Sequence, residues 1–537
     1  MKDGFRQSMA WLHTWMGLVL GWLLYFMFVT GTAGYLDTEI DRWMTPEAPP
    51  AAHGVDPVAA ARHGLDWLGR EAPRAQSWSV SLPVDRNSPY LRAFWRGEDR
   101  GDRGRAELDA TTGAPIEARD TGGGQRLYRM HWRLQYLPGD LVAWLISVAT
   151  LFMFVAMVTG VIVHKKIFKD FFTFRLGKGQ RSWLDAHNAV SVLSLPFQLM
   201  ITYSGLIFMM FTCMPLFVTA FYGGSEEARQ RFFDEAFSGR SEIEAAGTPA
   251  ELTDIAGPLA RAGARWGMDG IGGFEIDHPG DANARINVYG LYTAGPLREA
   301  PGMVFDGVSG ELLETRHAGE SAAKATRDVF LGLHEGMFAG PVVRALYLFA
   351  SVLGTAMIAT GLVLWSAKRR QNQARRPGGV ARGVVLVERL NIGTVVGLPV
   401  GIAAYFWANR LLPADFAARA DWEVHAMFLT WAAMLVHAAV RPRTRAWIEQ
   451  FSVAAAAFAL IPVLNALTTD RHLAQSLPAG DWVFAGFDLG MLVLGAVAGL
   501  IAWQLATRNA VEEGAAVSRP GRADAATVLA TDESVQH

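Results

Sequence analysis

A single cysteine, Cys213, stands in 537 residues. No disulfide can form within the chain, whatever the redox compartment, and no C-x-x-C-H motif exists to attach a c-type haem covalently. Basic stripes are equally scarce. Lys and Arg number 49 against 51 Asp and Glu, a net charge of -2, and the basic residues that cluster do so in short loops between apolar runs, so nucleic-acid binding is not expected. A zinc peptidase is excluded because His334-Glu-Gly-Met-Phe lacks the second histidine of H-E-x-x-H. No G-x-G-x-x-G stands in a strand-to-helix context. The sequence Gly270-Ile-Gly272-Gly273 falls in a segment expected outside the membrane, on the wrong side for a nicotinamide cofactor.

Apolar residues, by contrast, make up 51% of the chain, with 18 Trp and 30 Phe. They gather in eight uncharged runs, at roughly 12–36, 141–163, 188–212, 343–366, 391–409, 424–440, 450–468 and 483–506. Each is about twenty residues, enough to cross a hydrocarbon core of roughly 30 Å as a helix. The first run is too long for a signal-peptide core and lacks a small-residue cleavage site, so it reads as a retained helix. Lys165, Lys166, Lys169, Arg175, Lys178 and Arg181 follow the second run, Lys368, Arg369, Arg370, Arg375 and Arg376 the fourth, and Arg441, Arg443 and Arg445 the sixth. The positive-inside rule makes that side cytoplasmic, with both termini inside.

The chain also aligns with itself. His13 precedes Thr30-Gly31 by seventeen residues, and His187 precedes Ser204-Gly205 by seventeen. His131 lies seven residues before Pro138 and His334 seven before Pro341, and each following helix closes on Thr-Gly, at Thr159-Gly160 and Thr360-Gly361. Between the helices, Asp109-Ala-Thr-Thr-Gly113 with Glu117 and Arg119 matches Asp306-Gly-Val-Ser-Gly310 with Glu314 and Arg316 at an offset of 197. Each reads as two short strands around a glycine turn, preceded by a helical stretch, Pro57 to Arg70 and Ala250 to Trp266.

The expected fold is mainly α: a polytopic helical membrane protein of about eight transmembrane helices with two small α+β external domains and an internal duplication. The expected order is helix one over 1–36, external domain 37–130, helix two over 131–165, cytoplasmic loop 166–186, helix three over 187–221, external domain 222–328, helix four over 329–367 and basic loop 368–389. Four further helices occupy 390–506, and 507–537 forms a disordered cytoplasmic tail.

His13-Thr-Trp-Met-Gly-Leu, Arg181-Ser-Trp-Leu-Asp-Ala-His187-Asn, Leu333-His334-Glu-Gly, Thr360-Gly-Leu-Val-Leu-Trp365 and the two Asp-x-x-[Ser/Thr]-Gly hairpins resemble the PepSY-associated transmembrane family, over about residues 1 to 370. Its members include iron-regulated inner-membrane proteins and ferric-siderophore reductases. The resemblance implies PepSY-like external domains, a location in the bacterial inner membrane and a ferric, siderophore-like substrate. The four additional helices depart from the smallest members, which end after the fourth.

Five histidines fall at ends of the first four helices: His13, His164 and His187 at the expected cytoplasmic edge, His131 and His334 at the external edge. Imidazole is a common axial ligand of haem iron, and repeat-equivalent positions face each other across a pseudo-two-fold axis. That pairs His13 with His187 and His131 with His334 around two b-type haems. His164, whose repeat counterpart is Trp365, either replaces one ligand or supports the inner site. The expected activity is transfer of electrons outward to a ferric complex with release of Fe(II). The donor is a membrane quinol or a separate cytoplasmic reductase, because no cytoplasmic segment is long enough for a flavin or nicotinamide domain. Beyond haem, donor and ferric complex, the expected partner is membrane lipid. Two alternatives stand beside this: a non-enzymatic binding or regulatory protein, and a transporter. Against transport, the first four helices carry no charged residue in their central turns, and Asp488 is the only carboxylate expected near such a depth. His425 and His437, twelve residues apart in the sixth helix, lie about 120° apart around its axis. They are expected to be structural or near a quinone.

Overall fold

The computed structural model describes residues 4–50, 54–99, 101–164, 175, 177, 179–213, 215–237, 243–319, 322–374, 377 and 379–517. The chain divides into two compact units: residues 1–119 with 123–365, and residues 120–122 with 366–537. It is mainly helical. Among the described residues seven helices are long and apolar enough to cross a membrane, or eight if a bent pair is one span. The chain is a multi-pass membrane protein. Six of the fourteen basic residues argued to set its orientation, Lys165, Lys166, Lys169, Lys178, Arg375 and Arg376, lie outside the described residues.

In the first unit, the expected straight first helix is two helices, α1 (Phe5–Val19) and α2 (Gly21–Gly34), bent by 63°. A Cβ at Gly21, beside the break, would stand 2.7 Å from the Leu362 side chain, so the bend is where two helices come close. Next come α3 (Asp37–Met44) and α4 (Pro57–Glu71), the latter capped by Asp56, which accepts from the amides of Val58 and Ala59. Strands β1 (Ser77–Ser81), β2 (Leu91–Arg96) and β3 (Arg103–Leu108) follow, then α5 (Gly123–Trp132), α6 (Gly139–Val163) and α7 (Gln180–Phe208). After α8 (Ala256–Trp266) come β4 (Ile271–Asp277), β5 (Arg285–Gly290), β6 (Gly302–Asp306) and β7 (Leu312–Arg316). The unit closes with α9 (Ala322–Glu335) and most of α10 (Pro341–Gln373).

The two extramembrane segments do not form separate sheets. One antiparallel sheet of order β3-β2-β1-β4-β5-β6-β7 takes three strands from the first segment and four from the second, joined where Trp78 pairs with Ile276 and Val80 with Phe274. Strand alternation explains the fusion. Strands β1 to β6 each turn apolar residues to one side, and Val80, Leu91, Leu108, Phe274, Ile286 and Phe305 share a single core with Leu68 of α4 and Leu259 of α8. Segments this small bury little alone, and pairing β1 with β4 also removes two exposed sheet edges. Gly270-Ile-Gly272-Gly273 lies at this seam. A Cβ on Gly273 would come within 2.3 Å of the Val80 carbonyl oxygen, so its glycines serve close strand approach.

The matched motifs adopt the same turn. Asp109 Oδ1 accepts from the amides of Thr111 and Thr112, both at 2.9 Å, and Asp306 Oδ1 from those of Val308 and Ser309 at 3.1 and 2.9 Å. Each turn ends on a left-handed glycine, Gly113 at φ 70 and Gly310 at φ 72. Only the second continues as a full hairpin. In the first, the return is a single bridge between Leu108 and Pro115. The second helical stretch starts at Ala256 rather than Ala250, since the amides of Ala250 and Thr253 donate to the Gly280 and Gly307 carbonyls instead of entering a helix.

The second unit comprises α11 (Arg382–Val395), α12 (Gly397–Leu411), α13 (Arg419–Val440), α14 (Arg443–Ala459), α15 (Ile461–Thr468) and α16 (Trp482–Val517). The expected tail from 507 begins as helix, since α16 runs to Val517, and 518–537 lie outside the described residues. Asp488 is buried, and so are Glu388 and Glu423, which face Arg370 and Arg419.

Asp41 of α3 accepts from the Gln125 amide at the start of α5. Burial, and then the charge of Asp37, pushes its carboxyl up to about 7. The unfolded chain loses that proton near pH 4, while the folded chain holds it to about 7. The Asp41 contribution to stability therefore falls as pH rises across that interval and levels off above it. Thermal melts in detergent are expected to show the wild type losing stability relative to Asp41→Asn between about pH 4 and 7, with a constant difference at higher pH.

Candidate functional site

The structure brings four of the five histidines together as two pairs in the first unit. The rings of His13 and His187 lie 6.3 Å apart between centres, and those of His131 and His334 6.1 Å. His187 and Gly205, which belong to different pairs, are separated along α7 by eighteen residues, a rise of about 27 Å. The pairs thus sit at opposite ends of the bundle. His131 and His334 are not on the long helices, where the sequence places them, but on the short helices α5 and α9 that precede α6 and α10.

One local device seats all four rings. In each long helix a Thr or Ser is followed by Gly, and the carbonyl three residues before the Thr or Ser faces a histidine. His13 Nδ1 donates to Ala156 O at 2.7 Å, His131 Nδ1 to Met27 O at 2.7 Å and His187 Nδ1 to Met357 O at 3.0 Å. His334 sits at the equivalent place on the Ile201 turn, where its Nδ1 lies 2.9 Å from Ser204 Oγ. These carbonyls already accept the helix bond from the amide four residues on, which is in every case the glycine: Gly160, Gly31, Gly361 and Gly205. A carbonyl has a second lone pair, but an imidazole reaches it only where no Cβ stands over it. A Cβ would lie 3.1 Å from His13 Cε1 at Gly160, 3.2 Å from His187 Cε1 at Gly361, 2.7 Å from His131 Nδ1 at Gly31 and 3.4 Å from His334 Cε1 at Gly205. The hydroxyls of Thr30, Thr159, Ser204 and Thr360 turn back onto the carbonyl four residues earlier, at 2.7–2.8 Å, and reach the histidine's own carbonyl at 3.0–3.2 Å.

The chemical consequence is the tautomer. A carbonyl accepts only, so in His13, His131 and His187 the proton sits on Nδ1, and in the neutral ring Nε2 keeps its lone pair. Metal-binding histidines commonly have this partner, their second nitrogen donating to a carbonyl or carboxylate. Two imidazole nitrogens each about 2.0–2.1 Å from one metal ion place the ring centres, a further ring radius of about 1.1 Å behind, roughly 6 Å apart. Among the described residues no group of three or more His, Cys, Asp or Glu is arranged to hold a metal. Two imidazoles at this spacing are compatible with a metal whose other coordination positions come from a macrocycle such as haem.

His164 caps α6 and joins no such group of three. His425 packs on the Trp422 ring at 5.3 Å, and His437 Nε2 lies 2.9 Å from Glu449. The sequence does not disclose the side chains that hold the α9 pair member. Tyr347 Oη donates to Leu333 O at 2.9 Å and Tyr35 Oη to His334 O at 3.0 Å, and Gly336, at φ 63, closes the helix. Beside it is a cleft of about 340 Å³ lined by Tyr292, Leu297, Arg298, Glu335, Met337 and Phe338, among others. Arg298 pairs with Glu335 at 3.1 Å and lies over Phe208, whose ring is 5.2 Å from His334.

The family described as the PepSY-associated TM region matches residues 10–368. The chain belongs to the PepSY-associated transmembrane family. No curated protein matches it. Both histidine pairs and the cleft fall inside the PepSY-associated region, and nearly all of the second unit lies beyond it.

The seating device predicts unequal tolerance. Gly31→Ala puts a methyl group where His131 must move, whereas Gly205→Ala makes only ordinary contact. Thermal stability of the purified protein is expected to fall by about 1–3 kcal/mol for Gly31→Ala and by much less for Gly205→Ala.

Proposed function

We propose that this protein is a di-haem reductase of the bacterial inner membrane that passes electrons outward to a ferric complex. In this reading the two halves of the first unit are a duplication, the shared sheet is built from two PepSY-like segments, and both termini are cytoplasmic. The observation that carries the reading is the equal seating of the two histidine pairs, at opposite ends of one helix bundle and each with its ring centres about 6 Å apart.

His13 and His187 would hold one haem and His131 and His334 the other. When bound, haem supplies reversible one-electron transfer at a potential tuned by its axial ligands and their hydrogen bonds. The residues do the rest. In His13, His131 and His187 the Nδ1–H bond to a helix carbonyl fixes ring orientation and keeps Nε2 free to bind iron. The glycines admit the rings. The cleft beside His334, whose lining carries the Arg298–Glu335 ion pair, would take the ferric complex next to the outer pair. Hard oxygen donors hold Fe(II) less tightly than Fe(III), so reduction favours release. A siderophore is the substrate that the family suggests. Quinol or a separate cytoplasmic reductase is the donor.

Vectorial assay separates the two pairs. In oriented membranes, His334→Ala is expected to remove the outer haem, to leave an inner haem still reducible by the cytoplasmic-side donor, and to abolish ferric reduction. His187→Ala is expected to block reduction from the inside while the outer haem still responds to dithionite added outside. Full ferric reductase activity in both variants would overturn the assignment.

A further inference from the structure

The second unit contains a buried polar chain that apolar packing does not explain. Arg419 and Glu423, one turn apart on α13, are fully buried and paired at 2.6 Å. Arg410 Nε donates to Asn465 at 3.1 Å and Asn465 Nδ2 to Asp488 at 2.9 Å, all three buried. Such pairs are costly to desolvate and add little stability over apolar residues of the same volume. Ionisable groups retained inside a membrane unit usually serve a purpose.

Their partner is a tripeptide from far upstream. Residues 120–122 pack with the second unit, although the chain on both sides belongs to the first. Thr121 Oγ1 and the Gly122 amide donate to Glu423 Oε2 at 2.7 and 2.9 Å, Arg419 Nη1 donates to the Asp120 carbonyl at 2.9 Å, and Asn409 Nδ2 donates to Thr121 Oγ1 at 3.1 Å. Every residue of the tripeptide is held. Gly123, the next residue, opens α5 at φ 63. A Cβ there would sit 1.9 Å from Asp41 Oδ1, and one on Gly124 2.1 Å from the Asp37 carbonyl oxygen. The start of α5 therefore has no slack, and His131 lies in its last turn.

We infer that α12 and α13 act as a clasp on residues 120–122, with Arg419 and Glu423 as positioning residues that fix α5 and, through it, His131. The functional part rests on the reading of His131 as a haem ligand. The mechanical part does not.

Hydrogen exchange on the full-length protein in detergent tests it. Thr121→Val removes one hydroxyl and leaves the buried ion pair intact, whereas Glu423→Gln strands the Arg419 charge. In Thr121→Val, amides 124–132 are expected to exchange about fivefold or more faster, with the amides of α9 unchanged and Thr121→Ser restoring the wild-type rate. Unchanged exchange in 124–132, or an equal change in α5 and α9, overturns the clasp. A second readout is the midpoint potential of each haem: the outer one is expected to shift in Thr121→Val and the inner one to stay. If both shift alike or neither moves, Arg419 and Glu423 do not position His131. Wild-type protein without haem would defeat the haem assignment, and the exchange data would still judge the clasp.

Discussion

Everything at the two histidine pairs depends on one hydrogen bond, from an imidazole Nδ1 to a helix carbonyl already engaged by the amide of a glycine. It sets three things at once. The ring cannot rotate, the proton is kept off Nε2, and the two helices must approach until no side chain fits between them. Thr-Gly and Ser-Gly are the sequence expression of that geometry. The glycine clears the second lone pair of the carbonyl, and the hydroxyl, turned back on its own helix, leaves no polar group unsatisfied in an apolar setting.

The same bond explains why the bundle has its form. His13 of α1 bonds α6, and His131, just ahead of α6, bonds α2. His187 of α7 bonds α10, and His334, just ahead of α10, bonds α7. Each half is thus cross-tied at both ends, and the rings then face one another between halves. The extramembrane segments extend that relation into one sheet across the β1–β4 seam.

Much of this was legible in the sequence, for identifiable reasons. Long apolar runs have a fixed length scale, so the spans could be read, and constant offsets between His and Thr-Gly revealed which histidines share a depth. Other features depend on contacts that no local pattern encodes. The bend between α1 and α2 arises where Leu362 crowds Gly21, and the role of each Thr-Gly was ambiguous between plain packing and room for a ring because the partner histidine is on another helix. His131 and His334 read as helix ends since short helices merge with long ones when only hydropathy is followed. The fused sheet and the hold on residues 120–122 are pairings across more than 190 residues, and the strands and loop concerned look ordinary by themselves.

The central claim is that these imidazole pairs are axial ligand sets. Its most direct test is the haem content and spin state of protein purified from cells with ample haem. The account predicts about two acid-acetone-extractable b haems per chain, both six-coordinate and low-spin in the ferric state, with a reducible Soret band. Protein that folds and inserts yet shows no Soret absorbance, or whose haem is five-coordinate and high-spin, would contradict it.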